Sequence, residues 1–124
     1  MNEKQIKERS FDFALEIIGF VNLFPKNTLG FELGKQILRS GTSIGANIEE
    51  ANGARTKKEF TNCMNIAKKE ARETKYWLRL IESSGLIEHS KTQLLLSEVE
   101  IMVKILTSIV KTSEENLTLI THNS

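Results

Sequence analysis

The chain is short of nearly everything that would staple or interrupt it. It has one cysteine, Cys63, so no disulfide closes within it and no zinc site can be built on thiolates. A reducing compartment fits that usage. It has one proline, Pro25, and 7 glycines in 124 residues. Few breakers imply few, long elements. No apolar run is long enough to span a bilayer. Met1-Asn2-Glu3-Lys4-Gln5 has no apolar stretch behind a basic start, so no signal peptide is visible. The expectation is a cytoplasmic protein with no membrane partner. Charge of one sign is missing as well. At a formal net charge of +1, no global field draws the molecule to nucleic acid, and such a partner has to be met by a local patch.

What remains is ordinary globular usage, 40% hydrophobic and 27% charged, in a length that suits one domain over residues 1–124. The hydrophobic spacing is helical throughout. Phe13, Ile17, Phe20 and Phe24 recur every three to four residues, with Phe11, Leu15 and Ile18 as a second stripe. This predicts a helix over about residues 3–24, stopped by Pro25. Asn27 or Thr28 caps a second helix over about 29–52. Its stripe is Gly34, Ile37, Gly41, Ile44, Ile48 and Ala51. A glycine inside a helix costs about 1 kcal/mol against alanine, so Gly34, Gly41 and Gly45, with Ala46, are read as sites of close helix packing. The alternative, a loop at Ser40-Gly41-Thr42-Ser43, conflicts with the unbroken period.

Thr56 with Glu59 reads as a capping box opening a third helix over about 56–84, and Gly85 as its stop. Ser90 is the expected cap of a fourth helix over about 91–116, with a frayed tail after it. That helix carries leucine, isoleucine and valine in nearly every direction, which implies burial on more than one side. Four helices with short connections make an all-α, antiparallel up-down-up-down bundle. The fourth helix points to a ring-like homo-oligomer.

Two constellations stand out. In the third helix, Glu70 and Glu73 fall in a row otherwise made of Cys63, Ile66, Trp77 and Leu80. Antiparallel register puts Ser40 level with Glu70 and Gln36 with Glu73 or Thr74, with Arg39 in reach of Glu70. A carboxylate between helices needs partners. Arg39, Ser40, Ser43, Asn47, Glu50, Glu70 and Glu73 are therefore read as a structural polar network that fixes register. A di-metal site would need a Glu-x-x-His pair, but His89 lies in a connection and His122 in the tail. Neither Ser43 nor Cys63 has a histidine at helical reach. No catalytic residue, metal or cofactor is expected, and the chain is not read as an enzyme.

The second constellation is charge. Residues 55–79 hold eight basic residues against three acidic. Lys68, Arg72, Lys75 and Arg79 fall on one face, with Arg55 and Lys58 ahead of them. Such a stripe can follow a phosphate backbone, and it equally reads as a solvated helix face.

One set of motifs resembles a known family. Arg39, then Ser43-Ile44-x-x-Asn47-Ile48-x-Glu50-Ala51, then Lys58-Glu59-Phe60, then Ile66-Ala67 with Glu70 and Glu73, resembles the small bacterial four-helix-bundle proteins also called 23S rRNA intervening sequence proteins. The resemblance runs from about Phe11 to about Val110, and Pro25 falls where that family has its first interhelical proline. It implies a homopentameric bundle and a connection to RNA. The family is also similar to the accessory protein of diversity-generating retroelements, which implies nucleic acid and a nucleic-acid enzyme as partners. The first reading is a non-enzymatic oligomeric adaptor contacting RNA or DNA. The alternative is a protein-interaction bundle without nucleic acid.

Overall fold

The computed structural model describes residues 3–123, with side chains from Gln5 to Leu119. Met1, Asn2, Ser124 and the side chain of His122 lie outside the described residues. The order is α1 (Glu3–Val21), α2 (Thr28–Asn52), α3 (Lys57–Ser84) and α4 (His89–Asn123), with no strand among the described residues. Each helix packs on the next, and α4 returns to α1 through the thinnest of the four seams. The diagonal pairs stay apart. Short connections between packed neighbours give the antiparallel up-down-up-down bundle.

The ends follow local chemistry. Asn27 is extended (φ −144°) and its side-chain oxygen accepts from the Gly30 N–H, so it is the cap of α2. Thr56 Oγ1 accepts from the Glu59 N–H at 3.1 Å. The Glu59 carboxylate takes the Arg55 N–H, so the box closes one residue earlier than the motif predicts. Gly85 sits at φ +72°, the left-handed conformation that ends α3 and that a Cβ disfavours.

Three boundaries differ from expectation. Helix α1 ends at Val21, not near Phe24. Leu23 and Phe24 N–H groups bond the Phe20 and Val21 carbonyls, a tightened turn in which the chain leaves the α region before proline. Helix α4 starts at His89, so Ser90 lies inside it and donates to Glu88 rather than capping. It also continues to Asn123 instead of fraying after Asn116. No glycine or proline follows Gly85, so nothing in the backbone stops it.

The α1–α2 seam is close because of glycine. A Cβ on Gly41 would lie 3.0 Å from Ile17 Cγ1 and one on Gly34 3.2 Å from Val21 Cγ1; at the loop entering α2, one on Gly30 would collide with the Pro25 carbonyl oxygen. Ala46, expected at a packed position, is exposed. On α4 the buried side chains form one stripe, including Leu95, Val99, Met102, Leu106 and Val110. Leu94 (72% exposed), Ile101 and Leu119 face outward, so burial on more than one side is not met within this chain.

Candidate nucleic-acid interface

The α2–α3 seam has a buried and an exposed layer. In the buried layer Ser40 Oγ and Thr74 Oγ1 are hydrogen-bonded at 2.9 Å, both fully buried. In the exposed layer Arg39 Nη1 donates to Glu70 Oε2 at 2.9 Å and Nη2 to Glu73 Oε2. Trp77 Nε1 donates to the same Glu73 oxygen at 3.1 Å. Arg39 thus joins two carboxylates that would otherwise repel, and the indole adds a neutral donor. Partial burial lowers the Arg39 pKa, but the bond to Glu73 and the two carboxylate charges outweigh it and leave it raised.

Of the residues read as one network, the structure joins Arg39 to Glu70 and Glu73 and places the others elsewhere. Ser40 pairs with Thr74, not Glu70. Ser43 Oγ donates to the Arg39 carbonyl and Asn47 Nδ2 to the Ser43 carbonyl, so both are spent on their own helix. Glu50 is exposed and makes no ion pair among the described residues. Serine and asparagine are short enough to bond the preceding turn, which leaves Arg39 as the only side chain of the set that reaches across to the glutamates.

Other polar pairs hold the remaining seams. Arg9 clamps Glu98 across α1–α4, with Nη2 at 3.2 Å from Oε2; the hydrogen bond raises its pKa, against the pull of burial. Thr61 and Ser113 hydroxyls are bonded inside α3–α4. Glu82 Oε1 accepts from Gln93 Nε2 at 2.7 Å and lies 2.6 Å from His89 Nδ1, tying the end of α3 to the start of α4. Sequence reasoning missed these because each joins residues on helices whose relative height no spacing reveals. Among the described residues no group of three or more His, Cys, Asp or Glu could hold a metal ion, and no helix is long and apolar enough to cross a membrane.

The basic stripe divides in two. Arg72 and Arg79 are exposed, as are Arg55 and Lys58. Lys68 and Lys75 are half-buried on the flank turned to α4, where Lys75 Nζ lies 3.9 Å from Glu100 Oε1. Lys69, which sequence reasoning left out, is exposed. Lys58, Lys69, Arg72 and Arg79, at spacings of 11, 3 and 7, share the outward face of α3, as a period of about 3.6 requires. None makes an ion pair among the described residues. Toward α4 this face borders an open groove of about 450 Å³, lined by Lys75, Arg79, Glu82, Ser83, Gln93 and Glu100 among others.

The fold and its polar seams define a four-helix bundle with an outward basic face on α3. The chain belongs to the 23S rRNA-intervening sequence protein family, whose model matches residues 2–108. It is also similar to a protein of unknown function from the S23 ribosomal protein family of Bacteroides thetaiotaomicron VPI-5482. That crystal structure superposes with a TM-score of 0.83 at 40% identity, over 90% of this chain and 99% of the other. No curated protein matches.

Proposed function

We propose that this chain is a non-enzymatic, homo-oligomeric adaptor that contacts RNA or DNA through the outward face of α3. The observation that carries the nucleic-acid reading is Lys58, Lys69, Arg72 and Arg79 exposed on one face without carboxylate partners among the described residues. Glu73, the residue after Arg72, is engaged by Arg39 and Trp77. Charges aligned along a straight helix can each replace a counterion on a phosphate chain.

Self-association is supported by apolar surface left uncovered. Phe11 (63% exposed), Leu15 and Ile18 line the outside of α1, and Phe31 (60%) and Leu38 the outside of α2. Ile17 against Gly41 and Val21 against Gly34 set the register, which brings Ile18 to the height of Leu38. The family resemblance favours a ring of five, in which the basic face is repeated and phosphate contacts multiply. A cytoplasmic setting and a nucleic-acid enzyme as a further partner belong to the same reading. The apolar α1–α2 face also favours the second reading, a protein-interaction bundle without nucleic acid.

Binding of a generic RNA, followed by fluorescence anisotropy across a salt series, separates the two. Native protein is expected to bind at low salt. Replacing Lys58, Lys69, Arg72 and Arg79 by alanine should flatten the salt dependence by a slope of roughly 0.7 per lost phosphate contact on a single strand. No binding at low salt, or binding that the four substitutions leave unchanged, would leave the protein-interaction reading standing alone.

A further inference from the structure

We propose that the α3 face takes unpaired nucleic acid, with Tyr76 as the platform on which a base stacks. The inference rests on the nucleic-acid reading above and narrows its ligand to single strands.

Tyr76 is 54% exposed in the middle of the basic face. Arg72 lies one turn before it, Arg79 one turn after, and Lys69 two turns before. From Lys69 to Arg79 the helix advances about 15 Å at 1.5 Å per residue, so the cations flank the ring on both sides at the spacing of a few nucleotides. The ring has one aromatic neighbour among the described residues. It meets Trp77 edge to face, with centroids 5.3 Å apart and planes at 69°, and Trp77 is in turn fixed by its bond to Glu73. An exposed aromatic ring flanked by cations is the arrangement that binds single strands: backbone phosphates follow the charges while a base turns onto the ring. A duplex keeps its bases paired and stacked inside, and offers the ring nothing to stack against.

The same ring is poorly suited to a contact between copies. One turn away on α3 it has Arg72, Glu73, Arg79 and a single exposed apolar residue, Leu80, whereas Phe11, Leu15, Ile18, Phe31 and Leu38 form a larger apolar face on α1 and α2.

The test uses the full chain with a labelled single strand of about twelve nucleotides, inside the usual ~4–16 nucleotide site sizes, and the duplex of the same sequence at the same low salt. The native protein should bind the single strand at least about tenfold more tightly. Tyr76→Ala should weaken single-strand binding by about tenfold and leave duplex binding as it was. Tyr76→Phe should bind like the native chain, and Tyr76→Leu, which keeps bulk without a π face, should lose as much as Tyr76→Ala. Duplex bound as tightly as single strand overturns the proposal. So does an equal loss for both ligands, a Tyr76→Leu variant that binds normally, or Tyr76→Ala reducing the particle size in light scattering, which would assign the ring to self-contact. Lys69→Ala with Arg72→Ala and Arg79→Ala is the control for the parent reading. If the triple variant binds normally, the nucleic-acid interface itself fails. If it abolishes binding while Tyr76→Ala changes nothing, only the stacking platform fails.

Discussion

A methyl group added at Gly30 would meet the Pro25 carbonyl, with its carbon 2.9 Å away, whereas one added at Gly19 would meet nothing within 4 Å. The two sites therefore respond oppositely to the same change. Gly30→Ala should lower stability by roughly 1–3 kcal/mol, because rigid backbone has to move to admit the Cβ. Gly19→Ala should raise it by up to about 1 kcal/mol through lower unfolded-state entropy and better helix propensity. Thermal unfolding of both variants checks the pair, and a stabilised Gly30→Ala would contradict the close approach. The sequence foretold tight packing at Gly34 and Gly41, which fall in the apolar stripe of α2, and at Gly45 beside it. Gly30 was not legible, because its neighbour belongs to the loop that enters the helix and not to the facing helix. Ala46 was misread for a related reason: being small does not place a residue on the buried side, and the period puts Ala46 opposite to it.

Along the α2–α3 seam the two polar layers differ in what they contribute. Thr74→Val leaves Ser40 buried without its partner and should cost about 1–3 kcal/mol. Arg39→Ala removes a half-exposed bridge between helices that solvent screens, and should cost under about 1 kcal/mol. Urea unfolding of the two variants decides the order, and a larger loss for Arg39→Ala would mean that the surface layer is the one that sets register. Because the Arg39 and Arg9 pKa values are raised, what these cations add is fully present below the ordinary arginine range and is lost only above it. Neither bridge is released at the arginine end by any pH at which the protein is handled. Faces were legible in the sequence and heights were not. Periodicity assigns Ser40, Glu70 and Thr74 to the seam, but a loop of unknown path and two tilted axes shift the pairing by a turn. The basic face moved for a different reason: a strict 4-3-4 stripe selects Lys68 and Lys75 on the flank of α3, while the side turned outward selects Lys69.

At the scale of the molecule, the family and the four-helix class were legible because composition, breakers and period agree. Which surface a second copy would cover was not, because an exposed leucine on a helix reads the same whether water or a second copy covers it. If the α1–α2 face is the contact between copies, Leu15→Glu and Leu38→Glu should leave helicity by circular dichroism unchanged and reduce the particle to a monomer in light scattering. An unaltered particle size would move the contact elsewhere, with the outer side of α4 the next candidate. The three short connections also mean that most contacts are local, so the bundle should form quickly for its length.

The bond between Trp77 and Glu73 has a consequence of another kind. Trp77 is the only indole in the chain, it closes the surface layer of the α2–α3 seam, and it touches the tyrosine at the centre of the basic face. The protein therefore carries its own optical reporter at the junction of its scaffold and its outward surface. Emission from that single ring senses both the parting of the two helices and the occupation of the face beside it, with no dye attached.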